Sequence, residues 1–201
     1  RYATPIMWDG DVTPEGIYEK VNFQLVSEEN NKLNFYGLLG QFITHENAND
    51  DTDAGLYGYQ GALNWSTYNF NTEQPVDITG AVSFYDVTDW SNTVLASGNN
   101  VSTSFLRTNT LEAGGFRIVD IYPEVQFYAG RTPITLWYNY VNNVGNDRNP
   151  VSASAGDNDI HDQDTAWGLG LKIGKAKKKG EWEGFYGYYE IGANAVVAAF
   201  N

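Results

Sequence analysis

The acidic side chains of two predicted loops are the first candidates for chemistry in this sequence. Carboxylate oxygens at short spacing suit Ca²⁺, and residues 157–164 carry four acids in eight positions. The run departs from the EF-hand pattern, because His161 stands at the fifth position, Asp162 where glycine is required and Gly168 where a bidentate glutamate is required. The acidic run at residues 49–53 is weaker still. The sequence therefore favours exposed acidic loops and predicts no metal site.

Nucleophilic and nucleotide chemistry are not indicated either. The two histidines, His45 and His161, fall in predicted loops and have neither metal-site spacing nor a serine partner for a catalytic triad. The glycines at 168, 170 and 174 lack the spacing and the following helix of a nucleotide-binding loop. The absence of cysteine excludes disulfides, thiolate zinc sites and cysteine nucleophiles. We therefore predict no catalytic residue, no cofactor and no enzyme activity.

Charge and hydropathy narrow the class of protein. The 201 residues include 25 acids and 12 bases, a net charge of −13, which disfavours nucleic-acid binding because phosphate affinity depends on clustered Lys and Arg. The apolar runs are only a few residues long, whereas a membrane helix needs ~20 apolar residues. A transmembrane β-strand needs apolar character at only every second residue, so a membrane barrel is compatible with this composition.

Hydrophobic periodicity predicts the secondary structure that would position any functional site. Apolar residues recur at period two, rather than 3.6, nearly everywhere along the chain. This pattern predicts an all-β protein with no long helix. The eight predicted strands are residues 17–26, 33–43, 57–67, 76–84, 119–127, 134–140, 165–173 and 182–188.

Short and long connections alternate between these strands. The long predicted loops lie near residues 45–55, 86–116 and 142–164, and they hold 12 of the 25 acidic side chains, whereas the last short turn carries the lysines of 175–179. This rhythm is typical of an antiparallel up-and-down transmembrane β-barrel, with short turns at one end and long outer loops at the other. A soluble β-sandwich also alternates polar and apolar residues and is the competing interpretation.

Alternation assigns the side chains of each strand to two faces. The polar set is predicted to line a pore, where its three acids and two lysines would bias ion choice, and the apolar set is predicted to face lipid. The predicted pore-lining residues are Lys20, Asn22, Gln24, Asn64, Asp77, Thr79, Asp120, Tyr122, Glu124, Gln126, Asn139 and Lys172. The predicted lipid-facing residues are Val21, Phe23, Leu25, Leu63, Trp65, Val82, Phe84, Ile121, Val125, Phe127, Leu136, Tyr138, Leu169, Leu171, Tyr186 and Tyr188.

Segments near the two ends of the chain resemble a known family. Residues Ile6–Gly16 resemble the "MWDxDxxPEG" segment of the bacterial putative-porin family, and Gly168–Trp182 is similar to that family's strand, lysine turn and strand. Asn194–Phe200 resembles the stretch that follows there. The resemblance implies an outer-membrane β-barrel porin. It also implies that residues 1–201 are one barrel segment, incomplete at both ends and without the signal peptide, of a larger barrel.

The expected function is passive diffusion of small hydrophilic solutes or ions through a water-filled channel in the bacterial outer membrane. Small residues predicted to face inward, Ala81, Ser83, Gly168 and Gly170, favour a wide lumen. The expected partners are outer-membrane lipids and small solutes, with no nucleic acid, and a homo-oligomer or a partner protein stays open. One alternative is a secreted, soluble β-sandwich that binds carbohydrate through Trp and Tyr. Another is a barrel that sheathes a partner such as an electron-carrying cytochrome.

Overall fold

The computed structural model describes residues 4–7, 15–45, 54–69, 74–88, 116–145, 163–192 and 194–197. All eight predicted strands are confirmed, and most extend beyond their predicted bounds. The strands are β1 (Glu15–Ser27), β2 (Asn31–His45), β3 (Ala54–Asn69), β4 (Gln74–Thr88), β5 (Phe116–Ala129), β6 (Thr132–Asn143), β7 (Thr165–Gly174) and β8 (Glu183–Ile191). Most of each predicted long loop lies outside the described residues.

The strands form one antiparallel sheet in which each strand pairs with its neighbours along the chain, from β1 to β8. The predicted up-and-down order is therefore confirmed. In the described residues β1 pairs only with β2 and β8 only with β7, so the sheet is open at both edges. A sandwich would need a second, stacked sheet, and the strands described here all belong to one.

The strand register defines two faces, because directly paired residues of an antiparallel sheet share a face. We call the face that carries Tyr122 the inner face and the face that carries Ile121 the outer face. One row of pairs runs from Tyr36 through Ala62 and Ala81 to Tyr122 on the inner face. All twelve residues predicted to line a pore lie on the inner face.

The residues predicted to face lipid lie on the outer face, with one irregularity in β1. The register passes there from Gln24 paired with Asn34 to Val26 paired with Leu33, which makes Leu25 the extra residue of a β-bulge. Simple alternation does not anticipate this bulge. As a result Val26, which follows Leu25, takes the place on the outer face opposite Leu33.

The outer face is apolar and exposed across the sheet. Leu63, Val82, Ile121, Leu136 and Leu169, one residue from each of β3–β7, are all exposed. Aromatic rings pair across neighbouring strands on this face, and their centroids lie 6.4 Å apart for Phe23–Phe35, 6.3 Å for Tyr59–Phe84 and 5.5 Å for Trp167–Tyr188. A continuous exposed apolar surface of this kind marks a surface made for contact with an apolar partner or membrane.

The buried core lies on the inner face and explains why alternation is blurred in β2. Phe42 and Leu56 are directly paired on that face, and Phe42 packs against a cluster of buried residues that includes Leu56, Val87 and Phe116. We call this cluster the apolar core. It occupies the half of the inner face where the long connections emerge, and its inward-pointing apolar side chains add to the outward-pointing ones in the sequence pattern.

The expectation that small inward residues leave wide, water-filled space is wrong at these positions. Ala81 and Ser83 are 2% and 1% exposed, and Gly168 and Gly170 are buried. A Cβ added to Gly170 would lie 2.3 Å from Cζ2 of Trp137, and one added to Gly168 would lie 2.7 Å from Cδ1 of Tyr189. These two positions require glycine because aromatic rings from the neighbouring strands lie directly over them.

Gly170→Ala should therefore destabilise the fold by about 1–3 kcal/mol, since the buried Trp137 ring would have to leave its stacked position. The matched control is Gly80→Ala on the outer face of β4, where an added Cβ meets nothing within 4 Å. Urea unfolding followed by Trp fluorescence measures both variants. Equal stability of the two variants would contradict the packing described for Trp137.

Candidate functional site on the inner face of the sheet

Polar side chains form a continuous row across the inner face near the short turns. Direct pairing connects Lys32 to Ser66, Ser66 to Asp77, Asp77 to Gln126, Gln126 to Thr135 and Thr135 to Lys172, from β2 to β7. We call these six residues the polar row. In a closed barrel, a row of this kind that crosses the strands would form one arc of a ring of side chains around the lumen.

The polar side chains on this half of the inner face bind one another across strands. Ser66 Oγ donates to Asp77 Oδ1, and Asn64 Nδ2 donates to Thr79 Oγ1 at 3.0 Å. Lys172 Nζ lies 3.4 Å from Glu183 Oε2, and both side chains stay more than one-third exposed. The surface is therefore hydrogen-bonded and carries charges of both signs; Lys172 and Glu183 are open to water, whereas Thr79 and Thr135 are buried between their neighbours.

Four polar residues on this half of the inner face are not among the predicted pore-lining residues. Alternation places Ser66 and Thr135 on the polar side of their strands, whereas Lys32 lies just before the predicted strand 33–43. Glu183 follows the predicted start of the last strand and pairs with Gly174. Cross-strand register adds Lys32 and Glu183 to this face, because they pair with Ser66 and Gly174.

The half of the inner face near the long connections is filled by the chain itself. Ile6 and Met7, which precede β1, and Ala195–Val197, which follow β8, belong to the apolar core together with Ile118 and Val141. Each of these residues is at most 3% exposed. The inner face is therefore polar and accessible near the short turns, and apolar and covered near the long connections.

Asn143 fixes the segment that follows β8. Its Oδ1 accepts hydrogen bonds from the backbone N–H groups of Arg117 and Gly145, both at 3.1 Å, and its Nδ2 donates to the carbonyl of Asn194 at 2.9 Å. The N–H of Asn194 donates to the carbonyl of Gln163 at 2.8 Å. A single buried amide side chain thus joins β5, β6 and the segment Asn194–Val197.

Four residues predicted to line the pore are covered in the structure. Thr79, Asp120, Tyr122 and Asn139 are between 0% and 8% exposed. Asp120 Oδ2 accepts from Thr4 Oγ1 at 2.6 Å and Asp120 Oδ1 accepts from Asn139 Nδ2 at 2.6 Å, so this carboxylate is enclosed by other side chains. Sequence periodicity placed these residues on the inner face but had no means of showing what lies over them. Pore contact stays a prediction for all twelve residues.

Tyr122 belongs to an aromatic cluster that includes a residue not predicted for the inner face, Trp137. The Trp137 ring stacks on Tyr122 and Phe185 with centroids 6.3 Å and 6.2 Å away, and Tyr189 lies 5.6 Å away. Tyr122 donates its hydroxyl to Glu124 Oε2 at 2.7 Å. Trp137 stands between Leu136 and Tyr138 on the outer face, so its apolar character concealed its inward position.

The lysine turn between β7 and β8 is ordered by one acid. Glu181 Oε2 accepts hydrogen bonds from the backbone N–H groups of Lys177 and Lys178, at 2.9 Å each. The lysines of this turn are exposed. Arg131, from the turn between β5 and β6, lines the same open cleft as Lys177 and Lys178.

The described residues contain neither a cluster of metal ligands nor a membrane-spanning helix. Within them, no group of three or more His, Cys, Asp or Glu side chains is arranged to hold a metal ion. His45 is the last residue of β2, whereas His161 and the acidic run at 49–53 lie outside the described residues, as does most of the run at 157–164. No helix in the described part of the chain combines the length and the apolar character needed to cross a membrane.

The fold and its two faces define an all-β protein of the up-and-down type, the class that includes membrane barrels. A family model described as "putative porin" matches residues 92–201, more than half of the chain, and includes β5–β8. The chain belongs to the putative-porin family, as its lysine turn indicated. Searches of the curated proteins and of the solved structures return no match.

Asn143→Ala should destabilise the protein by about 1–3 kcal/mol, because two backbone N–H groups would lose a buried acceptor. Asn142→Ala is the matched control, since Asn142 Oδ1 is buried and has no hydrogen-bond partner among the described residues. Its removal should cost little. Denaturant unfolding in detergent measures both. A loss of stability at Asn142 equal to that at Asn143 would contradict the role given to the Asn143 amide.

Proposed function

We propose that this protein is an outer-membrane porin that forms a water-filled channel for passive diffusion of small hydrophilic solutes or ions. The observation that carries the proposal is the opposite character of the two sheet faces. The outer face presents exposed apolar side chains, and the inner face presents the polar row. Membership of the putative-porin family supports the same function.

The distribution of charge on the outer face supports contact with lipid. Among the described residues of β2–β7, the outer face carries only two charged side chains, Asp86 and Arg117. They form an ion pair near the long connections, with Asp86 Oδ1 and Arg117 Nε 3.5 Å apart. In β4 the outward side chains from Val76 to Phe84 include no charge. That stretch matches the ~9–11 residues of strand that cross a bilayer.

Permeation would depend on the shape and the charge of the inner face rather than on catalysis. The polar row brings Lys32 and Lys172 into one arc with Asp77, and Glu183 pairs with Lys172. Hydrophilic solutes can exchange water for these donors and acceptors, while charges of both signs keep the inner surface from excluding either kind of ion outright. The proposed route follows the strands along the inner face and includes this polar half.

Single-channel recording tests the function directly. The full-length protein is added to a planar lipid bilayer with a salt gradient across it. Stepwise conductance is expected, and the sign of the reversal potential gives the ion preference. A detergent-solubilised, folded protein that gives no conductance steps would contradict the porin function.

The lipid-facing assignment has its own test. Leu136→Arg places a charge in the middle of the outer face of β6 and should cost ~2–4 kcal/mol of stability in a bilayer. Asn22→Arg, on the exposed inner face of β1, is the matched control and should cost much less. Urea titration of protein folded in vesicles compares them. Equal costs would show that the outer face does not contact lipid.

A further inference from the structure

A short segment that precedes β1 lies against the inner face of the sheet. Thr4, Ile6 and Met7 are each at most 1% exposed. Ile6 and Met7 pack in the apolar core, whose other members come from strands as distant along the chain as β7. A segment with such burial is part of the folded interior, although more than a hundred residues separate it from its hydrogen-bond partners.

Two hydrogen bonds tie this segment to β5 and β6, and a third joins their two acceptors, Asp120 and Asn139. Asp120 accepts from the Thr4 hydroxyl through one carboxylate oxygen and from the Asn139 amide through the other, both at 2.6 Å. Asn139 Oδ1 in turn accepts from the backbone N–H of Ile6 at 3.2 Å. Burying a carboxylate is costly unless it is hydrogen-bonded, so the ring of bonds is also what allows Asp120 to be 0% exposed.

The position of these bonds places the segment beside the proposed route. Asp120 pairs with Ser83 and Val141, between the apolar core and the polar half of the inner face. In front of β5 and β6 the inner face is therefore occupied by Thr4–Met7. Lys20 and Asn22 on the inner face of β1 remain exposed.

We propose that Thr4–Met7 forms the constriction of the channel and that Asp120 is the positioning residue that holds it there. This inference rests on the proposed porin function and adds to it the element that sets the size limit. Asp120 then affects permeation indirectly, by holding Thr4–Met7 in place. Its charge faces Thr4 and Asn139 rather than passing ions.

Conductance and size exclusion test the constriction in the full-length protein. Asp120→Ala removes both acceptors and should raise single-channel conductance about twofold or more, since conductance grows with the open cross-section. It should also admit larger neutral polyethylene glycols. Ile6→Asp, which places a charge in the apolar core, should widen the channel in the same way without altering β5.

The matched control is Asp77→Ala, which removes the same charge from the polar row on the inner face. It should shift the reversal potential and leave the size limit for polyethylene glycol unchanged. If Asp120→Ala behaves as Asp77→Ala does, Asp120 is an ordinary lining charge and the constriction is wrong. If no form of the protein conducts, the porin function fails and the constriction with it.

Thiol labelling tests the position of the segment without a conductance measurement. Residues 1–201 contain no cysteine, so an introduced thiol is the only one in this part of the chain. Met7→Cys should resist a charged, water-soluble thiol reagent in the folded protein, whereas Lys20→Cys should react. Adding Asp120→Ala should expose Met7→Cys while the retained heat-modifiable gel migration shows that the sheet is still folded. Rapid labelling of Met7→Cys with Asp120 intact would overturn the inference.

Discussion

The whole structure depends on the period of two along each β-strand, combined with pairing of each strand to its sequence neighbour. Because successive side chains point to opposite faces, pairing in register gathers one class of side chain on each side of the sheet. The exposed outer band of Leu63, Val82 and Ile121 and the inner row of Ser66, Asp77 and Gln126 are two results of the same register. A shift by one residue in any strand would move both sets to the wrong face.

The inner face is divided because the chain supplies its own cover. Near the long connections, apolar side chains such as Leu56 and Phe116 point inward and would be unfavourable against water. Ile6, Met7 and the segment Asn194–Val197 cover them, and the amides of Asn139 and Asn143 satisfy the backbone groups that these segments bring with them. Near the short turns no such cover is needed, because the side chains are polar. The polar half can therefore stay open to solvent.

Most of the fold could be predicted from the sequence, but the contents of the interior could not. Alternation found all eight strands and placed Lys20, Glu124 and Lys172 on their observed face. It gave no sign that Asp120 is enclosed, because the partner, Thr4, lies 116 residues away and outside any strand. It also interpreted Gly170 as open space, since a ring stacked over a glycine from the neighbouring strand leaves no periodic signal.

The contact between Thr4 and Asp120 also has a consequence for the order of folding. Every strand pair joins neighbours along the chain, so the sheet can grow hairpin by hairpin with modest loop-closure entropy at each step. Thr4–Met7 has no surface to dock on until β5 and β6 have paired, because its partners are supplied by both. A segment synthesised before β1 is thus in place only after β5 and β6 have formed. In the meantime the half-formed sheet has an uncovered apolar inner face, and this is the stage most exposed to aggregation.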